Sequence, residues 1–143
     1  MTTIHIQAFI HKELAQVWEA YTHPQHIIHW NFANSQWHCP QATNDLRIGG
    51  RYFTRMEAKD GSFGFDFTAI YTRLTPHSSF TYRLEDNREV NVSFAQQDSG
   101  TLVNVVFHAE EQTPLELQRT GWQAILDNFK NYVENELHTA EEA

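Results

Sequence analysis

Between Gln36 and Ala109 the chain alternates apolar and polar residues and is broken five times by turn chemistry. That rhythm confines the segment to a meander of short antiparallel strands. The breaks are Gly49-Gly50, Asp60-Gly61, Pro76-His77-Ser78, Asp86-Asn87 and Asp98-Ser99-Gly100. Asp60-Gly61 is the sharpest, because a two-residue hairpin turn with positive φ favours that dipeptide. Between the breaks each strand has one apolar face to hide: Phe63, Phe65, Phe67, Ala69 and Tyr71, then Phe80, Tyr82 and Leu84, then Val90, Val92 and Phe94, then Val103, Val105 and Phe107.

The cover for those faces comes last. Thr113-Pro114-Leu115-Glu116 reads as a capping box with proline at the first helical position, opening a helix over about 114–137. Leu115, Trp122, Ile125, Leu126, Phe129, Val133 and Leu137 form its apolar stripe. A helix of ~24 residues spans about 36 Å, enough to cross a sheet. The tail 138–143 reads as frayed. At the other end, Ile4, Ile6, Ala8 and Ile10 share one side of a first strand. Leu14, Val17, Trp18 and Tyr21 then gather on one helical face. A second short helix follows, capped by Thr22 with Gln25 three residues on, and ending by Trp30 or Asn31. A strand, two short helices, a meander and one long helix define an α+β fold in which a curved sheet grips the C-terminal helix.

At 143 residues and 41% hydrophobic the chain holds one domain, residues 1–143, with a sizeable core. A net charge of -8 with only 10 scattered basic residues excludes broad binding to nucleic acid. The single cysteine, Cys39, permits no intramolecular disulfide and points to the cytoplasm. No apolar run approaches the ~20 residues of a membrane span.

Four phrases carry a family resemblance over nearly the whole chain: "VWEAYTHPQHIIHW", "NDLRIGGRYFTRMEAKDGSFGFDFTAIY", "GTLVNVVFHAE" and "LQRTGWQAILDNFKNYVE". Together they resemble the bacterial relatives of the activator of the heat-shock-protein-90 ATPase, within the START-like (SRPBCC) helix-grip superfamily. Where that family usually has an acidic Asp-Pro-Glu run, this chain has His23-Pro24-Gln25. The resemblance implies a cavity between the sheet and the long helix that holds an apolar or aromatic small molecule.

The residues expected on the cavity wall are Trp30, Trp37, Tyr52, Met56, Phe65, Phe67, Tyr82, Trp122, Ile125 and Phe129. Parity selects Tyr52 and Met56, since Tyr52, Thr54, Met56 and Ala58 are less charged than the alternate set. Phe53 is then left on the outer face, where a bulge would relieve it. Tyr52 and Tyr82 are the expected polar handles.

The histidines at 23, 26 and 29 are three residues apart, a spacing that invites a metal. On a helix they fan over about 120° and span ~9 Å, too divergent for one ion, so they read as solvent-facing and no metal or other cofactor is expected. His38 and Cys39 point to opposite faces of a strand and make no nucleophile–base pair. Asp66 falls on the solvated face, unless a bulge turns it inward as a general acid or base. The function expected first is binding of a small apolar or aromatic ligand without chemistry. The alternatives are a polyketide cyclase or aromatase, and a co-chaperone as the family name suggests. A homodimer is expected through an exposed sheet edge or the outward Phe53.

Overall fold

The computed structural model describes residues 2–136, so Leu137 and the tail expected to fray lie outside the described residues. Alternation at the start of the chain produces β1, Thr3–Ile10, with Ile4, Ile6, Ala8 and Ile10 all turned into the core. Two short helices follow, α1 at Leu14–Thr22 and α2 at Pro24–Ile27. The meander then supplies β2 (Trp37–Asn44), β3 (Arg51–Ala58), β4 (Gly64–Thr75), β5 (Ser79–Leu84), β6 (Glu89–Gln97) and β7 (Gly100–His108). Helix α3, Leu115–Asn131, continues into a π-helical segment, Tyr132–Glu136.

All pairings are antiparallel, in the order β1-β7-β6-β5-β4-β3-β2. The first strand thus returns beside the last, and α1 and α2 carry the chain from one edge of the sheet to the other. Each of the five breaks holds one residue of positive φ: Gly49 (84°), Gly61 (78°), His77 (65°), Asn87 (72°) and Asp98 (50°). The Asp60-Gly61 turn is wider than a two-residue hairpin. The Ala58 amide donates to the Phe63 carbonyl at 2.9 Å, closing a loop from Lys59 to Phe63. Asp60 accepts the Ser62 amide at 2.8 Å, an Asx turn that the dipeptide alone does not reveal.

Neither expected capping box forms. The Thr22 hydroxyl donates back to the Trp18 carbonyl at 2.8 Å, so α2 begins at Pro24 without a side-chain cap. At the start of α3 no side chain caps the helix, and the buried Gln118 ties down the segment that precedes it. Its Oε1 accepts the Glu110 amide at 2.7 Å, and its Nε2 donates to the Glu110 and Thr113 carbonyls at 2.9 and 2.7 Å. Gln118 takes the covered position, and Leu115, assigned to the apolar stripe, is instead 46% exposed.

Where α3 lies is decided by polar side chains. It runs along β1, whose outer edge pairs with no strand among the described residues. Arg119 Nη1 donates to the His5 carbonyl at 2.9 Å, Gln123 Nε2 to Gln7 at 3.2 Å, and Lys130 Nζ to Phe9. The helix advances about 6 Å from 119 to 123 against about 6.8 Å between the His5 and Gln7 carbonyls, and about 10.5 Å from 123 to 130, where the long Lys130 side chain reaches back to Phe9. On the opposite flank Asn128 Nδ2 donates to the Trp30 carbonyl at 2.9 Å. The far edge, β2, is blunted by a bulge between His38 and Gln41, with Pro40 inside it. Phe53 does face outward, but no bulge relieves it; the Arg51 guanidinium lies 5.1 Å over its ring.

Lys130→Met removes the Phe9 bond together with the 2.8 Å contact to Glu134. It should lower unfolding free energy by about 1–2 kcal/mol in urea titration, discounted for partial exposure. Arg119→Met, more open to solvent, should cost less than about 1 kcal/mol. Equal and negligible effects would show that apolar packing alone positions α3.

Candidate functional site

One helix cannot cover this sheet. Seven strands at ~4.8 Å spacing are about 29 Å wide, whereas a helix with side chains is ~10–12 Å across. With α3 drawn to β1, the near half is filled by rings. Trp18 meets Phe94 at 5.1 Å between centroids, and Tyr21 meets Trp30 and Phe129 at 4.9 and 5.0 Å. Over β3, β4 and β5 no backbone element among the described residues closes the gap, and a cavity of about 180 Å³ remains.

Its wall is Ile6, Tyr21, Trp30, Asn31, Tyr52, Met56, Phe65, Phe67, Tyr82, Val105, Trp122, Ile125 and Leu126. The structure therefore brings eight of the ten expected residues around one space and leaves two outside. Phe129 is fully buried one turn further along α3, in the ring cluster against Trp30 at 4.9 Å. Trp37 stands outside the mouth, at the end of β2, where Trp37, Phe63 and Phe65 form a partly exposed triad with centroids 5.9 to 6.3 Å apart. Phe63 is 61% exposed, so the hairpin tip of β4 does not share the burial of Ala69 and Tyr71 on the same face.

Sequence reasoning did not select Ile6, Tyr21, Asn31, Val105 or Leu126 for this wall. A signal existed for four of them. Ile6 and Val105 are register partners on the inward face, and Tyr21 and Leu126 lie on the apolar stripes of α1 and α3. Asn31 had none, being a polar residue where a helix ends.

Inside, Trp122 stacks on Phe107 with centroids 4.0 Å apart and planes at 12°, and reaches Phe67 at 6.4 Å. Tyr52 and Tyr82 lie 5.2 Å apart, and Phe67 packs on both. Burial pushes the hydroxyls of Tyr21, Tyr52 and Tyr82 well up, so all three stay protonated at any physiological pH. Asn31 Nδ2 and Thr54 Oγ1 both donate to the Met56 sulfur, at 3.3 and 3.6 Å.

The other candidate groups lie elsewhere. Asp66 is on the solvated face, ion-paired with Arg55 at 3.2 Å, and not turned inward. His38 faces Glu57 at 3.6 Å while Cys39 is buried on the opposite side, where burial raises its thiol. Two of the three spaced histidines do more than face solvent. His26 Nδ1 is 2.7 Å from the Tyr132 hydroxyl, and the His29 ring stacks on Tyr132 at 5.7 Å. They clasp the π-helical end of the C-terminal helix. Among the described residues no three His, Cys, Asp or Glu side chains gather as a metal site would require.

A curved antiparallel sheet, a long helix seated along β1 on its inner face and a cavity between them define a helix-grip protein of ligand-binding type. The chain belongs to the family of activator of Hsp90 ATPase homolog 1-like proteins, whose model matches residues 13–134. It is similar to the solution structure of an AHSA1-like protein from Aeromonas hydrophila, with 42% identity over 96% of this chain and 99% of that one, TM-score 0.87. It is also similar to Chr148 from Cytophaga hutchinsonii, with 38% identity over 96% and 98% of the two chains, TM-score 0.81. The Aha1 dimer from Colwellia psychrerythraea shares the fold at 14% identity, covering 96% of this chain and 100% of that one, TM-score 0.76. Among curated proteins none matches this chain. No helix among the described residues is long and apolar enough to cross a membrane.

The histidine clasp makes stability depend on pH. Burial lowers the His26 pKa, Glu19 partly offsets this, and His23 and His29 lower it further. In unfolded chains His titrates near ~6.5, so just below that pH the unfolded state binds more protons and folding stability falls as pH falls. The melting temperature should drop between pH 7.5 and 5.5, and drop less in His26→Gln. An identical slope in the variant would remove His26 from the account.

Proposed function

We propose that this protein binds a small apolar or aromatic molecule in the cavity between α3 and β3–β5, and holds it without transforming it. The observation that carries this reading is the cavity itself, a mostly apolar space in a family whose fold is of ligand-binding type. Ligand pockets are commonly apolar with few polar groups, and this wall has that composition. Eight of its members, Trp30, Tyr52, Met56, Phe65, Phe67, Tyr82, Trp122 and Ile125, are the ones proposed to contact the ligand. Binding is favoured over turnover by the wall's chemistry. Its described polar side chains are Tyr21, Asn31, Tyr52 and Tyr82, and the three phenols are poor proton carriers near neutral pH because burial keeps them protonated.

Volume sets the size of the ligand. An apolar cavity of ~150 Å³ holds benzene, so about 180 Å³ holds one ring with a short substituent. A sterol or a long-chain fatty acid exceeds that volume. Phe65, 39% exposed, and the half-buried Phe67, Trp122 and Ile125 form the mouth.

Benzene, toluene and ethylbenzene should raise the melting temperature in a saturable way and change the fluorescence of Trp30 and Trp122, while palmitate and cholesterol do neither. Ile125→Phe, which adds a ring at the mouth, should weaken toluene binding at least tenfold with the fold retained. Unmoved melting temperature and fluorescence with every single-ring compound would refute the reading.

A further inference from the structure

The polar inventory of this wall is one-sided. Among its described residues there is no Lys, Arg, His, Asp or Glu; the polar side chains are Tyr21, Asn31, Tyr52 and Tyr82. A charged ligand would lose its hydration here and meet no opposite charge, a cost that excludes it. What the wall offers instead is neutral donors.

Tyr82 is the clearest case. The residue is 5% exposed, and no protein group among the described residues pairs with its hydroxyl. No side-chain nitrogen or oxygen among the described residues is both sealed and unpaired. The Tyr82 hydroxyl therefore opens onto space, and the space that Tyr82 borders is the cavity. Tyr71, the neighbouring tyrosine on β4, differs: its hydroxyl donates to Asn44 Oδ1 at 2.8 Å and is accounted for.

Around Tyr82 the other donors are held lightly. The Tyr52 ring is 5.2 Å away, with Thr54 beside its hydroxyl. The Asn31 amide, 8% exposed, donates at 3.3 Å to the Met56 thioether, a weak acceptor. A stronger acceptor entering the cavity can take that donor at little loss. A phenol donates more strongly than it accepts, and a carbonyl oxygen, with two lone pairs, can receive two such donors at once.

We propose that the cavity selects small uncharged aromatic carbonyl compounds, a single ring bearing a ketone or aldehyde, with the Tyr82 hydroxyl donating to the carbonyl oxygen. This rests on the cavity-binding reading above and adds to it the chemical class of the ligand.

The test compares acetophenone, ethylbenzene, phenol and benzoate at pH 7.5 by calorimetry, on the wild-type chain and on Tyr82→Phe. Acetophenone should bind and benzoate should not. Tyr82→Phe should weaken acetophenone about fivefold to tenfold and leave ethylbenzene unchanged. Equal effects on both ligands, benzoate binding, or phenol bound more tightly than acetophenone would overturn the assignment while leaving a ligand cavity in place. Ethylbenzene and acetophenone both failing to bind would overturn both readings. Should Tyr82→Phe not fold, the carbonyl stretch of ¹³C-labelled acetophenone on the wild-type protein decides. A frequency lowered from its value in alkane supports the donated hydrogen bond, and an alkane-like frequency refutes it.

Discussion

Three side chains of one helix, Arg119, Gln123 and Lys130, reach the free carbonyls of His5, Gln7 and Phe9 on the edge strand β1. Much of the remaining architecture follows from that ladder. An unpaired strand edge is a template for association, and here it is occupied from within the chain. Because three donors of α3 reach successive outward carbonyls of β1, the helix lies along β1 rather than over the middle of the sheet. Asn128, fastened to the Trp30 carbonyl, keeps it from rolling.

Once α3 is fixed at one side, the question is what occupies the other. Near α1 the answer is rings at edge-to-face spacing, Trp18, Tyr21, Phe80, Phe94 and Phe129, and this half is solid core. Over β3–β5 rings stand on both walls and touch at one place, where Trp122 meets Phe67 edge-on at 6.4 Å. Trp122 cannot swing in to fill the gap, because it lies flat on Phe107. Tyr52, Phe67 and Tyr82 brace one another across the strands. Protein interiors normally close up to crystal-like density, so a gap persists only where stiff side chains and a tethered backbone both resist collapse. Both conditions hold here.

The architecture was legible in the sequence because its signals are periodic. Alternation in Val90, Val92, Phe94 and Val103, Val105, Phe107 maps directly onto buried positions, and five turn dipeptides or tripeptides fall where the chain reverses. What escaped was decided by partners distant in sequence. Thr113 makes no cap to α3, and the chain leading into the helix is tied down instead by Gln118, whose amide reaches back to Glu110 and Thr113. Trp37 is excluded from the cavity by the bulge in β2 and by its place at the strand's end, opposite Ala58. Phe129 misses it by a single helical turn, a distinction that a stripe of apolar residues does not draw. The spaced histidines, expected to face solvent, include two, His26 and His29, that clasp Tyr132, a residue 106 positions from His26.

The cavity is the claim on which the functional account stands, and a crystal structure under xenon pressure tests it most directly. Xenon enters apolar voids of this size without needing any specific polar contact. The account predicts anomalous density among Met56, Phe67, Tyr82 and Trp122, with the surrounding side chains unmoved. Absence of density there, with Trp122 or Phe67 folded into the space, would contradict it and make this half of the sheet a filled core.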